Sequence, residues 1–174
     1  ETYVYICDVT YKNAWIIINT RNLTSNNNVI NSWTFGNDVT ITLSKINNTS
    51  TLEKKETTSA TTVTDLATYT KNITFTATDV VNTLTFGNTG TLTATNTVTN
   101  SGTFDNTGTL TATNTVTNSG TLETSETFSA PTINNSGTFT NTGTLTSINN
   151  VLNSVTFANY GTLTLSKVNN TPTI

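Results

Sequence analysis

The stretch "FDNTGTLTATNTVTNSGT", residues 104–121, follows an almost identical stretch at residues 86–103. The two copies differ only where Asp105 replaces Gly87. Within each copy, apolar residues recur six positions apart. The apolar positions of the second copy, with the first position of the next unit, are Phe104, Leu110, Val116 and Leu122. A short tandem repeat with three apolar positions per unit predicts a β-solenoid, in which each unit forms one turn, or rung.

The same pattern extends over the whole chain. Steps of 17 or 18 residues from Phe104 reach an apolar or aromatic residue every time: Ile17, Phe35, Leu52, Tyr69, Phe86, Leu122, Phe139, Phe157 and Ile174. Two further apolar columns follow in each unit, and only Thr58 breaks them. The middle step is five or six residues, whereas the other two steps are always six. A two-sheet sandwich also has short strands, but it has no reason to keep three columns in phase.

We therefore predict a single all-β domain spanning residues 1–174. It is a three-faced β-helix of about ten rungs, each of 17–18 residues, with uncapped ends and a handedness that stays open. Asn-Thr-Gly and Asn-Ser-Gly recur between the predicted strands. Because Gly and Asn adopt left-handed backbone conformations easily, we expect such conformations at these corners.

Two protein families show similar patterns. The sixfold apolar spacing resembles that of hexapeptide β-helices, although the five-residue steps depart from a strict hexapeptide repeat. The phrases "NSGT" and "NTGTL" resemble the repeat regions of secreted bacterial adhesins of the autotransporter and filamentous-haemagglutinin type. The two resemblances disagree on handedness. Both imply an exported, elongated surface protein.

The composition argues against several functions. Charged residues make up 10% of the chain and the net charge is −3, whereas about a quarter of a typical soluble protein is charged. The few Lys and Arg residues form no basic patch, so we expect no nucleic-acid partner. Histidine is absent and there is one cysteine. We therefore expect no metal, no cofactor and no enzymatic activity.

The location predicted from composition is extracellular, at the cell surface. Methionine is absent, which indicates processing, and a chain rich in Thr and Asn but poor in Lys favours export. The longest apolar run, Ala14–Ile18, is too short to span a membrane. Six sequons could carry N-linked glycans, at Asn22, Asn47, Asn48, Asn72, Asn134 and Asn169.

Both ends of the chain favour self-assembly. Ile174 takes the first apolar column, and Ile6 and Tyr11 of a second copy would continue the columns across a junction. Neither end shows a polar cap, and uncapped solenoid ends invite pairing. We expect homopolymers, either fibre, sheath or layer, with an interface formed by Tyr3, Tyr5, Ile6, Cys7, Tyr11, Leu163, Leu165, Val168 and Ile174. Cys7, predicted to point outward beside Thr24 and Thr42, could form an intersubunit disulfide.

A Thr-x-Thr array follows the second apolar column and indicates an alternative function. Its pairs are Thr40 and Thr42, Thr74 and Thr76, Thr91 and Thr93, Thr109 and Thr111, Thr144 and Thr146, and Thr162 and Thr164. The array resembles the ice-binding face of solenoid antifreeze proteins, which implies ice binding. Thr is also simply a good strand residue. A monomeric adhesin or glycan-binding stalk is a further alternative.

Two other polar patterns have structural interpretations. A column of Asn residues lies two positions after the first apolar column, where stacked amides can bond along the axis: Asn19, Asn37, Asn88, Asn106, Asn141 and Asn159. The pairs Glu53/Glu56 and Glu123/Glu126 occupy matching positions four rungs apart. That distance is too large for the two pairs to cooperate in polysaccharide cleavage.

Overall fold

The computed structural model describes residues 74–171 in full and, before them, the backbone of nine strands between Tyr5 and Lys71. All of the described strands pair in parallel, which confirms the all-β solenoid. Residues 74–171 form about five rungs of about 18 residues, fewer than the ten predicted for the whole chain. The strands before residue 74 pair with one another and with later strands in the same parallel manner.

Face 1 of the solenoid is a nine-stranded sheet. It carries the first apolar column, and its strands lie one rung apart in the chain. They are β3 (Ile17–Asn19), β5 (Phe35–Asn37), β7 (Leu52–Lys54), β9 (Thr68–Lys71), β11 (Thr85–Asn88), β14 (Thr103–Asn106), β17 (Thr121–Thr124), β20 (Thr138–Asn141) and β23 (Thr156–Asn159).

Faces 2 and 3 belong to one sixteen-stranded sheet. Face 2 has β12 (Thr91–Ala94), β15 (Thr109–Ala112), β18 (Thr127–Ser129), β21 (Thr144–Ser147) and β24 (Thr162–Leu165). Face 3 has β13 (Val98–Asn100), β16 (Thr115–Asn118), β19 (Thr132–Asn135), β22 (Asn150–Asn153) and β25 (Val168–Asn170). Strands that run through both faces are β4 (Leu23–Asn31), β6 (Ile41–Asn48), β8 (Thr58–Asp65) and β10 (Thr74–Asn82). The two remaining strands, β1 (Tyr5–Cys7) and β2 (Tyr11–Asn13), pair with β4.

The core consists of the three predicted apolar columns. Alternate residues of a strand point to opposite faces, so one side chain of each pair turns inward and its neighbour turns out. Phe86, Leu92 and Val98 have no exposed surface, and the same holds for their equivalents in the following three rungs. Aromatic rings stack along face 1, with 4.7 Å between the ring centroids of Phe86 and Phe104. Stacking one rung on the next therefore buries the column continuously.

The variable middle step lies at the corner between faces 2 and 3. Asp79 lies in the five-residue step between Phe75 and Val80, whereas the equivalent step in the next rung, between Leu92 and Val98, has six residues. Its Oδ1 accepts hydrogen bonds from Asn96 Nδ2 (2.9 Å), the backbone N of Thr97 (3.2 Å) and Thr97 Oγ1 (2.7 Å). The carboxylate thus caps the wider loop of the next rung, which lets one rung contain an extra residue without disturbing the columns.

The corner glycines correct one prediction. No described residue has a positive φ, glycines included, so left-handed backbone is not the reason for glycine. Close approach is the reason, because a Cβ at Gly102, Gly120 or Gly137 would lie within 3.0 Å of backbone in the rung below. Val155 takes this position in one rung, and there the hydrogen bond from Thr156 N to Gly137 O is 3.2 Å long. The equivalent bond is 2.9 Å one rung below, from Thr138 N to Gly120 O, and 2.8 Å two rungs below, from Thr121 N to Gly102 O.

Candidate functional surfaces

A ladder of asparagines, buried up to Asn153 and exposed at Asn170, runs along the corner between faces 3 and 1, which we name corner 3–1. Its described members are Asn82, Asn100, Asn118, Asn135, Asn153 and Asn170. Asn100 illustrates the geometry, because its Nδ2 donates to Gly102 O at 3.1 Å, to Asn118 Oδ1 at 2.7 Å and to Thr121 O at 2.8 Å. Each amide therefore joins two rungs and closes its own corner. The sequence pattern contained this column, two residues after each third apolar position, but the prediction missed it.

The predicted asparagine column forms a second ladder along the corner between faces 1 and 2, which we name corner 1–2. Asn88 Nδ2 donates to Asn106 Oδ1 at 2.7 Å, and Asn141 Nδ2 donates to Asn159 Oδ1 at 2.6 Å. Between them stands Thr124, whose Oγ1 accepts from Asn106 Nδ2 at 2.9 Å. Asn141 Oδ1 is buried without a hydrogen-bond partner. The predicted axial bonding is confirmed, and the ladder is interrupted in one rung.

The Thr-x-Thr array lies on face 2 with its rungs in register. Thr74 pairs with Thr91 and Thr76 with Thr93, and the same two columns continue through every rung up to β24. All ten predicted threonines from Thr74 onward are exposed or half-exposed. Thr40 lies outside the described residues, and Thr42 is described only as backbone, where it pairs with Thr24 and Ser59.

Face 2 is more uniform than the other faces. Its outward positions between residues 74 and 164 hold Thr in every rung, with Ser129 the one exception. On face 3 the corresponding outward column holds Val, Thr, Thr, Asn, Leu and Asn, at Val81, Thr99, Thr117, Asn134, Leu152 and Asn169. On face 1 the corresponding column holds Gly, Asp, Glu, Thr and Ala. Among the residues described in full, only face 2 holds Thr or Ser at both outward positions of every rung, which gives a regular, uncharged array of hydroxyl and methyl groups.

The last described rung leaves core positions uncovered. Leu163 is 38% exposed and Val168 51% exposed, whereas Leu145 and Val151, one rung earlier in the same columns, are fully buried. Leu165, also in the predicted interface, is half-buried against the core cluster. These three residues therefore form an apolar surface at the C-terminal edge of the described solenoid.

The N-terminal half of the predicted interface is described only in part. Tyr3 and Ile174 lie outside the described residues. The register of β1 corrects the assignment of the columns, because it pairs Tyr5 with Leu23, Ile6 with Thr24 and Cys7 with Ser25. Tyr5, not Ile6, therefore continues the second apolar column, and Ile6, not Cys7, lies in the column of Thr24 and Thr42. Tyr11 continues the third apolar column, opposite Val29. The prediction is off by one residue because it used a five-residue middle step where the chain has six.

Carboxylates come closer together than the sequence suggested. Asp105 and Glu123 are register partners on adjacent strands of face 1, and both are exposed. Together with Thr107, Ser125 and Thr142 they line a shallow groove of about 240 Å³ beside corner 1–2. The residues described in full contain no group of three or more His, Cys, Asp or Glu that could hold a metal ion. Glu53 and Glu56 lie where no side chain is described.

A larger groove of about 800 Å³ follows corner 3–1. Asn134, Leu152 and Asn169 line one side of it, and Ser136, Ser154 and Thr171 line the other. Leu152 is 42% exposed. Asn134 Oδ1 is buried and has no hydrogen-bond partner. None of the described residues that line this groove is charged.

Comparison with protein-family models, curated proteins and solved structures gave no match. The resemblances to adhesin repeats and hexapeptide β-helices therefore gain no support beyond the solenoid itself. Across the described part of the chain, no helix has the length and apolarity that a membrane crossing requires.

Proposed function

We propose that this protein is an extracellular structural element that assembles by stacking rung on rung with a second copy of itself. The observation that carries the proposal is the exposure of Leu163 and Val168, which belong to columns that are fully buried one rung earlier. A rung added in register would cover both side chains and would pair with the edges of β23, β24 and β25. Covering apolar surface and pairing an open strand edge both favour association.

The two corner ladders support the same mode of association. Asn159 and Asn170 each accept a bond from the rung below. A further rung that carried asparagine at these two corners would extend both ladders. Repeated addition of this kind gives a heterologous contact, which produces a fibre, a sheath or a layer when it does not close into a ring. The low charge of the surface suits lateral packing of such fibres.

Sedimentation velocity with negative-stain electron microscopy tests this function. We expect long particles from the unaltered protein and small ones from Leu163→Lys and Val168→Lys. A matched control is Thr140→Lys, which places the same charge on the outer surface of face 1 and should assemble normally. Circular dichroism should show β-structure in all three variants. Monodisperse particles from the unaltered protein would contradict assembly and favour a monomeric stalk.

Ice binding is the second candidate, and the uniformity of face 2 favours it. Its two Thr columns repeat at the strand spacing, about 4.8 Å along the axis, and no charged residue interrupts them between β10 and β24. Hydroxyl and methyl groups in a flat lattice can order water. In an ice-recrystallisation assay, Thr111→Lys should abolish inhibition, whereas Thr117→Lys on face 3 should retain it. Equal activity of the two variants, or none in the unaltered protein, would reject this candidate.

A further inference from the structure

The groove along corner 3–1 has the size and shape of a ligand site. It crosses four rungs parallel to the solenoid axis, from Thr117 to Thr171, and has a volume of about 800 Å³. Small-molecule sites in proteins commonly measure 300–1,000 Å³ and combine an apolar lining with a few convergent polar groups. Leu152 supplies the apolar surface here, and the amides of Asn134 and Asn169 flank it one rung below and one rung above.

One atom in the groove lacks the partner that its burial requires. Asn134 Oδ1 is buried and accepts no hydrogen bond in the structure. A buried acceptor without a donor destabilises a protein by about 1–3 kcal/mol, and such atoms are uncommon in native folds. Because less than 1 Å² of this oxygen is accessible, a ligand hydroxyl or amide reaches it only when the Asn134 side chain turns toward the groove, and the hydrogen bond formed there would remove this penalty.

The outward column that lines the groove changes along face 3. It holds Thr99 and Thr117 in the two nearly identical copies and Val81 in the rung before them, and the backbone register places Ile30, Asn47 and Thr64 in it earlier in the chain. From β19 onward the column changes to Asn, Leu and Asn. Strand propensity does not explain this change, because Asn is a poorer strand residue than Thr. The substitution replaces a short hydroxyl by amides that both donate and accept.

We propose that the corner 3–1 groove binds a neutral saccharide. The lining that the structure describes carries no charged side chain, which disfavours acidic glycans, phosphates and charged peptides. A sugar ring has an apolar face that fits Leu152 and a hydroxyl edge that fits the amides of Asn134 and Asn169. The groove lies on a lateral surface and shares Val168 and Asn170 with the proposed assembly edge. Asn134 and Leu152, which the test changes, lie outside that edge, so the site can fail or hold independently of the proposed function.

Titration calorimetry with soluble neutral polysaccharides, a linear β-glucan and a mannan, tests the site, with alginate as the acidic comparison. The protein is produced in a bacterial host without N-glycosylation, because Asn134 and Asn169 both begin sequons. The test variant, Asn134→Thr with Leu152→Thr, restores the residue of the earlier rungs and should fold. We expect at least one neutral polysaccharide to bind and the variant to bind it about tenfold more weakly, as loss of about 1.4 kcal/mol implies.

The control Thr140→Ala, outside the groove on face 1, should bind as the unaltered protein does. Absence of binding to both neutral polysaccharides would overturn the proposal, as would tighter binding of alginate or equal affinity of the reverted variant. Sedimentation of the reverted variant completes the test. A change in oligomeric state relative to the control would show that the groove is a contact between copies, which also overturns the proposal.

Discussion

The two asparagine corners perform the same structural task with different regularity. Corner 3–1 keeps asparagine in every rung from Asn82 to Asn170, and each amide bonds the next at 2.6–2.8 Å. Corner 1–2 loses its asparagine at Thr124, and the amide above it keeps a buried, unpaired oxygen. The difference teaches that one ladder suffices to hold the rungs in register, because the columns of face 1 remain in phase across the interrupted rung.

The largest effect is expected from breaking the regular ladder. Asn118→Leu keeps the approximate shape but removes the bonds from Nδ2 to Gly120 O, Asn135 Oδ1 and Thr138 O. Because these acceptors stay buried, we expect a loss of about 3 kcal/mol in the free energy of unfolding. Thr124→Val, the matched change in the interrupted ladder, removes only one acceptor and should lose about 1 kcal/mol. Urea denaturation measures both, and equal losses would contradict the comparison.

The next effect concerns the corner glycine. In Gly120→Ala the new Cβ would lie within 3.0 Å of backbone of the rung below, so the rungs must separate locally. We expect a loss of about 1–3 kcal/mol, as for other overpacked sites. Glu126→Ala places the same residue at the corresponding position of corner 1–2, where a Cβ is already present, and should change stability by about 0.5 kcal/mol or less. Thermal unfolding followed by circular dichroism compares the two, and a neutral Gly120→Ala would refute close approach as the reason for glycine.

A repair of the interrupted ladder should stabilise the protein. Thr124→Asn restores a donor below Asn141 Oδ1, which is unpaired. We expect a gain of about 1 kcal/mol in the free energy of unfolding, the net value of one buried hydrogen bond. Calorimetry measures this change. The matched control is Thr124→Gln, whose longer amide does not fit the ladder and should bring no gain; equal gains would mean that the ladder geometry is unimportant.

The smallest effect should come from charge. Asp105 and Glu123 are like charges on adjacent strands in register, a destabilising arrangement in sheets. Glu123→Gln should raise Tm slightly at low ionic strength, and the gain should disappear in molar salt because exposed charges are screened. Glu126→Gln lies outside this register pair and serves as the control. A gain that persists in high salt would show that charge repulsion is not its source.

The sequence predicted most of the fold, because the position of an apolar residue within the repeat is enough to tell whether its side chain is buried. Phe104, Leu110 and Val116 take the same place in every rung, so their columns could be read directly. Positions whose role depends on the neighbouring rung were harder to predict. Gly120 is a glycine because the backbone of the rung below lies close to it. This distance cannot be inferred from a local sequence pattern.

The candidate surfaces show the same limit. The Thr columns of face 2 were predicted correctly because they alternate with a buried column. The pairing of Asp105 with Glu123 and the groove beside Asn134 were missed, since both depend on which residues of different rungs become neighbours. The error at Ile6 has a related cause, because one step length taken as five residues instead of six misplaced Ile6 by one residue, although Tyr11 after it was assigned correctly.

Each asparagine ladder also gives the solenoid a direction. Every amide of the two ladders donates its N–H toward the C-terminal rungs. The C-terminal end of a ladder therefore presents an N–H donor, and the N-terminal end presents an oxygen acceptor. At the acceptor end, Asn82 Oδ1 and Asn88 Oδ1 are buried and unpaired, and their register partners in the rung below are Asp65 and Lys71. Two solenoids meeting at like ends would place donor against donor or acceptor against acceptor. Any polymer built by extending these ladders is therefore polar. All of its subunits face the same direction, and its two ends are chemically different.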